Sequence, residues 1–554
     1  MIRIGRTVLA ATLCGIIAVA AAGLSPAAAG AVRDIIIDQS SVLQRYQAPL
    51  TRPPSIGVTI TGAVAGVAPE KLADVRFVLR RVDLEGAVTL DPALLAPLYA
   101  GMIGREITAL DLKGVLDGIE RIYREHDYYA LALAPPQALS SGAVRIIVYE
   151  SYIRDVVIEA DLAGVRNLEA RLQPYIDRIV AMRPVRISRL ARYALLMTDL
   201  AGVTINAELS RIPEEPGAGL LVLKIDFDPS SARLRLDNFA SPDIGPLELA
   251  GNVRFNNAFG FFEWTDGLAV TNPAAPEELV FARLAQHVPL GPSGFAAGYE
   301  YGRVWSNPDD EVDIHAETTM GRVYVDYAVL RALDRNLIAT FAIDAKDTAV
   351  DVDGAAVVRQ RKRWASVGAT YDDTILGAAA IASAAFAHGI DGLDATGEGN
   401  NDFRFATFDA SVSRKVSEMV SAKLFFTGQY AFTNLPSAAA FTLGGETYGR
   451  AFDNSAIAGD SGYAAAFELS RRLDFGIDWL TAFSLFGFLD YGAVWNPPGR
   501  GGYDFASLGS AGVGFRSIIG RHLMASAWVA VPYKDEPALG AEGTRVRFNA
   551  GVQF

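Results

Sequence analysis

The sequence predicts an α+β amino-terminal part followed by an all-β part that closes as an antiparallel transmembrane β-barrel of about sixteen strands. Three observations carry this. From Thr544 to Phe554 the residues alternate without a break, with Val546, Phe548, Ala550, Val552 and Phe554 on one face and Arg545, Arg547, Asn549, Gly551 and Gln553 on the other. Successive side chains of a strand point to opposite sides, so this segment has one apolar and one wet wall. Similar segments recur from Ser231 onward with almost no helical spacing between them. After residue 30, no apolar run reaches the roughly 20 residues of a spanning helix; the Ala-rich stretch from Ile375 to Ala387 comes nearest. A closed barrel is the other arrangement that satisfies every backbone group in lipid. A final strand ending on an aromatic suits a barrel sealed by its own carboxy-terminal strand.

Composition agrees. The 52 Gly, 20 Tyr and 28 Phe suit tight turns and aromatic girdles. A net charge of −13, without a Lys/Arg stripe interleaved with aromatics, argues against a nucleic-acid partner.

The chain opens with Arg3 and Arg6, an apolar stretch from Val8 to Ala22, and Ala27-Ala28-Ala29 as a cleavage site. Residues 1–29 read as a secretory signal peptide. The single cysteine, Cys14, lies inside it, and Leu13 before it fits a lipoprotein site poorly. The mature chain is therefore expected to have no disulfide and no thiolate chemistry. Residues 30–74 read as a linker in which Ser40 to Gln47 could form a short helix, stopped by Thr51-Arg52-Pro53-Pro54. Either a flexible leader or a plug helix entering a pore fits this segment.

Residues 75–150 read as a small β-α-α-β-β unit. A strand is expected from Phe77 to Leu84 and a short helix from Asp91 to Tyr99. Thr108, with Asp111 three positions on, then caps a longer helix. In that helix Leu112, Val115, Leu116, Ile119, Ile122 and Tyr123 share one face, and strands from Tyr128 to Ala134 and Val144 to Glu150 complete the unit. The same order recurs over 151–228, with strands near 154–160, 203–211 and 220–228 and helices near 166–179 and 187–200. This is a repeat of architecture rather than of sequence.

The barrel is expected over 229–554. Its first eight strands fall near 232–239, 247–256, 262–270, 279–287, 295–304, 315–327, 337–345 and 361–370. The second eight fall near 375–386, 403–414, 420–431, 462–471, 481–492, 507–516, 522–531 and 544–554. Long connections at 346–360, 387–402, 432–461, 493–506 and 532–543 alternate with short turns such as 371–374, 415–419 and 517–521. Such barrels have long extracellular loops and short periplasmic turns, which this alternation matches.

Several segments resemble a known family. Gly104-Arg105-Glu106-Ile107-Thr108, then Leu112 to Tyr123, Pro136-Gln137 and Gly142 to Glu150, resemble a POTRA domain of two-partner secretion transporters. These are the ShlB/FhaC/HecB (TpsB) type within the BamA/TpsB superfamily. The longest connection holds Gly444-Gly445-Glu446-Thr447-Tyr448-Gly449-Arg450-Ala451-Phe452, similar to that superfamily's Gly-Gly pair and VRGF/VRGY tetrad. Gly449 replaces the tetrad's aliphatic residue and Ala451 its glycine, while Arg450 and Phe452 are kept. Phe488, Asp490 and Gly492 match the family's F-x-D-x-G strand, and Leu236-Asp237-Asn238-Phe239 with Gly245 resembles the first strand of many secretion barrels. Alternation puts Ser484, Phe486, Phe488, Asp490 and Gly492 on one face, and the carboxylate makes that face the lumen.

The resemblance implies two tandem POTRA domains in the periplasm and a barrel in the outer membrane of a Gram-negative bacterium, in contact with lipid and lipopolysaccharide. It implies a secreted, TpsA-like exoprotein as client, received unfolded, and a barrel that acts as a monomer without cofactors. The long loop would fold back into the pore, where Arg450 would pair with Asp490 as a guanidinium–carboxylate fork. A small sheet with a free edge can add a client strand through main-chain hydrogen bonds, and the alternative is that the units are only packed spacers.

Other chemistry is weak. His126, His287, His315, His388 and His522 lack metal-ligand spacing, and no nucleophile elbow supports a catalytic triad, so no enzyme is expected. The stretch from Asp391 to Asp402 reads as an exposed acidic loop or a calcium loop. Export of an unfolded partner is the main functional expectation. The alternatives are a BamA-like assembly factor, for which two POTRA units are few, and a passive diffusion channel.

Overall fold

A computed structural model describes residues 39, 46, 57–61, 72–159, 165–240, 245–308, 313–397, 401–497, 504–539 and 543–554. The expected signal peptide and, apart from Tyr46, the expected helix from Ser40 to Gln47 lie outside the described residues.

The first unit contains β2 (Arg76–Val78), β3 (Arg81–Glu85), β4 (Glu106–Thr108), α1 (Ala109–Glu125), β5 (Ala130–Leu133) and β6 (Ala143–Glu150); β1 (Gly57–Thr61) precedes it. The capping box forms: the Thr108 hydroxyl accepts from the Asp111 N–H, and the Asp111 carboxylate accepts from the Thr108 N–H at 2.8 Å. This leaves Leu112, Val115, Ile119 and Tyr123 to bury one face of α1 against the sheet β3-β6-β5. The strand expected from Phe77 to Leu84 is divided. Leu79 N–H donates to Arg105 O and Arg80 N–H to Gly142 O, so β2 pairs with β4 while β3 pairs with β6. The expected helix from Asp91 to Tyr99 is a 3-10 turn at Pro92–Leu94 and a single α-turn at Pro97–Ala100. Each piece begins on a proline, which a helix tolerates only in its first turn.

The second unit contains β7 (Tyr152–Glu159), α2 (Leu168–Val180), α3 (Ile187–Thr198), β8 (Val203–Arg211) and β9 (Ala218–Phe227). Its sheet runs β1-β8-β9-β7. β1 falls in the stretch expected as a linker and lies parallel to β8 from Gly57↔Asn206 to Thr61↔Ser210.

The barrel closes with sixteen strands. They are β10 (Ser230–Asp237), β11 (Glu248–Asn256), β12 (Trp264–Thr271), β13 (Leu279–Pro289), β14 (Phe295–Ser306), β15 (Ile314–Arg331), β16 (Asn336–Val352) and β17 (Ala355–Ile375). Next come β18 (Ala378–Gly389), β19 (Arg404–Lys415) and β20 (Val420–Ala431). A small hairpin of β21 (Phe441–Leu443) and β22 (Ile457–Gly459) stands outside the barrel wall's pairing. Then follow β23 (Ser461–Leu473), β24 (Leu480–Trp495), β25 (Ala506–Ile519), β26 (Leu523–Lys534) and β27 (Arg545–Gln553). Neighbours are antiparallel, and β10 pairs with β27 from Arg233↔Gln553 to Asp237↔Asn549 to close the cylinder. Phe467, Leu489, Val513, Val529 and Val546 face outward and are exposed, as a lipid-facing wall requires.

The connection expected at 346–360 is a correction. β16 and β17 continue through it and meet at a two-residue turn, Asp353-Gly354, both with positive φ (49° and 74°). That is the Asp-Gly turn whose twist suits a hairpin. The extension pairs Asp347 with Arg363 and Asp351 with Arg359 across its strands. A strand that is polar because it projects beyond lipid reads as a loop. Thr396 of the loop after β18 forms an isolated antiparallel bridge with Arg361 of β17, and Asp391, Asp394 and Asp402 are engaged by Asn401, Arg361, and His388 with Arg404.

The second unit is joined to the barrel's periplasmic turns. Phe262 and Ala328 are buried in that unit's own core. Arg331, almost wholly buried, makes two bonds to the Asp199 carboxylate at 2.7 and 3.0 Å, and Arg192 donates to Ala328 O at 2.6 Å.

Candidate functional site

The long connection after β20 turns inward. Its hairpin β21–β22 packs on β23 and β24, and its tip, from Gly444 to Ala456, lies in the lumen against β10 and β24–β26. Local backbone requirements explain the Gly-Gly pair. Gly444 and Gly445 have φ of 116° and 125°, and a Cβ on Gly444 would lie 2.0 Å from Asp453 O. Gly449 also has positive φ (69°), whereas Ala451 does not. The two departures from the tetrad therefore fit this tip, because the left-handed residue is Gly449 and Ala451 needs no such freedom.

Asp490 and Arg450 do not form the expected fork, which is a second correction. Asp490 Oδ1 accepts from the Gly449 N–H at 2.7 Å and from the Ser510 hydroxyl at 2.6 Å, so this carboxylate holds the loop by its backbone. The longer Arg450 side chain lies over the Phe488 ring, 4.2 Å from its centroid, and reaches Glu468 at 3.4 Å. Register explains the choice. Glu468 of β23 stands directly opposite Phe488 of β24, so a guanidinium stacked on that ring arrives beside Glu468. Glu468 also takes a bidentate pair from Arg516 (2.5 and 2.8 Å), which is itself stacked on Phe486 at 4.0 Å. Arg450 and Glu468 are 6% and 2% exposed, so the pair is desolvated and stabilising only because its bonds are satisfied.

The other expected residues converge on the same place. Phe452 is fully buried with Phe239, Leu443, Phe486, Phe488 and Trp528. Gly492 lets the loop hairpin approach, since a Cβ there would lie 2.7 Å from Leu443 Cδ1. The first-strand motif takes part too: Asn454 donates to Phe239 O, and Arg547 bridges Asn238 O to Phe452 O and Asp453. Glu468, Arg516 and Ser510 were missed. Glu468 had a legible signal, a lone acid among inward-facing Gly462, Ala464 and Ala466, but its partners depend on register.

Gln39 and Tyr46 also lie within the barrel. The Gln39 amide donates to the Ser306 hydroxyl at 2.9 Å and accepts from Thr318 at 2.6 Å. Tyr46 O accepts from Arg283 at 2.8 Å, and its ring meets Phe281.

Residues 226–517 match the family model described as haemolysin secretion/activation protein ShlB/FhaC/HecB, and residues 77–151 match the ShlB-type POTRA domain. The heme/hemopexin transporter protein HuxB of Haemophilus influenzae (strain 86-028NP) is 26% identical over 175 residues, 31% of this chain and 30% of HuxB. The match thus spans less than a third of that relative's length. The outer membrane transporter CdiB of Escherichia coli O6:K15:H31 (strain 536 / UPEC) is 23% identical over 500 residues, 86% of this chain and 82% of CdiB. The solved structure of CdiB from Escherichia coli has a TM-score of 0.73 at 19% identity, covering 97% of this chain and all of that one, a likeness of fold. The fold is thus an outer-membrane barrel with POTRA units on its periplasmic side, and with more than half of its length inside the first match the chain belongs to the haemolysin secretion/activation protein family ShlB/FhaC/HecB.

Proposed function

We propose that this protein is the outer-membrane pore of a two-partner secretion pair, exporting an unfolded exoprotein that its periplasmic POTRA units receive. The observation that carries the reading is the lumen loop, fastened by Gly449 to Asp490 and by Arg450 to Glu468. A passive channel gains nothing from a loop held across its lumen by releasable contacts. Gln39 and Tyr46 support a second obstruction, an amino-terminal plug that leaves before or with client entry. Folding of the client outside supplies the direction of movement. The barrel acts as a monomer in contact with outer-membrane lipid and lipopolysaccharide. Family relatives are transporters, and no catalytic role is assigned to any residue here.

The test is secretion. The protein is expressed in an outer membrane with the exoprotein encoded beside it, and the exoprotein is measured outside the cell. Release that requires this protein and falls in Arg450→Ala supports export through a loop-gated pore. Slower assembly of other barrels on depletion, with no release, would replace the reading with a barrel-assembly factor.

A further inference from the structure

Resting on the export reading above, we infer that the cavity between the seated lumen loop and the wall strands β20 and β23–β27 binds a carboxylate, the head group of an acidic side chain on the entering client. The cavity holds about 160 Å³. That is less than the roughly 300–1,000 Å³ that takes a whole small-molecule ligand, so it suits a single head group. The loop lines it through Glu446, Thr447 and Arg450. The wall lines it near the periplasmic ends of its strands: Lys423 stands three residues from the start of β20, Arg516 three from the end of β25, and Ser526 three from the start of β26. At the rise of a strand this is about 10 Å inside the barrel, on the client's way in.

Donors outnumber acceptors around this cavity. Glu468 is already taken by Arg450 and by the bidentate Arg516, and Glu446 reaches Arg235 at 3.8 Å. Lys423 is directly opposite Glu468 in the register of β20 and β23, yet among the described residues no ion pair reaches its ammonium. Trp528 is 6% exposed, and its buried indole Nε1–H has no acceptor among the described residues. Ser526 and Asn549 continue the row that begins at Arg516, and neither side chain makes a hydrogen bond among the described residues. Folded proteins rarely leave a buried donor unmatched, and a third cation beside one shared carboxylate leaves positive charge to spare. One more anionic acceptor meets these needs together. A carboxylate takes several charge-assisted bonds at once, where an amide offers a single neutral oxygen. A passing polypeptide brings that group as Asp or Glu. The occupant shares Arg450 and Arg516 with Glu468, so the client's acid arrives at the ion pairs that seat the loop.

The probe is a glycine–serine peptide carrying one glutamate, titrated onto the full-length protein in lipid nanodiscs while the tryptophan indole N–H signals are followed by NMR. The Trp528 signal is the one that Trp528→Phe removes. It is expected to move downfield and saturate with the glutamate peptide and to stay in place with the glutamine peptide. Lys423→Gln should weaken binding up to about fivefold, the size one part-exposed charge contact supplies. Lys415→Gln, on the facing strand and outside the cavity's lining, should leave it unchanged. The other indole signals show that each variant is folded. An unmoved Trp528 signal, an equal shift with the glutamine peptide, or equal loss in the two lysine variants would overturn the site. Saturation by free acetate at the same carboxylate concentration would assign the cavity to small anions and overturn the client's part in it. Export is followed in the same variants: undiminished export by Lys423→Gln overturns the cavity's role in transport. No export by the unaltered protein overturns the export reading itself, while the indole signal still decides the carboxylate site.

Discussion

Glu468 sits between two guanidiniums, each laid on a phenyl ring, and this arrangement orders the effects of substitution. Glu468→Ala leaves the buried Arg450 guanidinium without its carboxylate and beside the partly exposed Arg516, and breaking a buried pair costs about 3–5 kcal/mol. Arg450→Ala leaves Glu468 with its bidentate Arg516 partner and costs less. Asp490→Asn keeps an acceptor for the Gly449 N–H and costs least. Pore openings in planar bilayers should therefore become more frequent in the order Asp490→Asn, Arg450→Ala, Glu468→Ala. Equal conductance in all three would show that these contacts do not hold the loop. At this scale the sequence identified the motif residues but not their pairing. Arg450 and Asp490 are both in the site, yet which carboxylate receives the arginine depends on Glu468 lying opposite Phe488.

At the scale of elements, the first POTRA unit is tied together at Glu150. Its carboxylate accepts from the N–H groups of Val88 and Thr89 and from the hydroxyls of Thr89 and Tyr123. Burial pulls this carboxyl up, but the bonds outweigh it and hold it below the usual carboxylate range. A carboxyl with its folded pKa depressed adds stability that is present above the unfolded value of about 4.3 and is lost as pH falls through the folded one. Amide protection in α1, corrected for intrinsic exchange, should hold from neutral pH to about pH 4 and fall below it. Glu150→Gln should cost roughly 1–3 kcal/mol at neutral pH and remove most of that pH dependence. Unchanged protection in the variant would contradict this account. Strands were the most legible elements, because a barrel strand must alternate along its whole length between lipid and lumen. The overhang of β16 and β17 was not legible, since there the outward face of β16 carries Asp347 and Asp351 in place of the apolar residues that meet lipid. β1 was missed although Val58 and Ile60 alternate with Thr59 and Thr61, because so short a run in an irregular segment becomes a strand only against the β8 edge that completes it.

On the scale of the whole molecule, the units and the barrel form a connected path from periplasm to lumen. Asp127 of the first unit accepts from the Ser188 N–H and hydroxyl of the second, and Arg186 lies over Tyr128. The second unit in turn holds the barrel through Arg331 and Phe262. Asp199→Ala would leave the buried Arg331 guanidinium without its carboxylate partner, costing about 1–3 kcal/mol. Spin labels on α3 and on β15 should then report a broadened distance distribution; an unchanged one would show that Phe262 alone fixes the orientation.

The claim on which the rest depends is that the lumen loop must leave its seat for a client to pass. A Cβ on Gly492 would lie 2.7 Å from Leu443 Cδ1, so the pair Leu443→Cys and Gly492→Cys shortens one side chain as it lengthens the other and brings two thiols together. Cys14, the sequence's one other cysteine, lies in the expected signal peptide. Exoprotein released from cells is then measured with this pair oxidised and after reduction. The account predicts that release stops when the loop is bridged to β24 and resumes on reduction. Release at the unaltered rate with the bridge intact would contradict it.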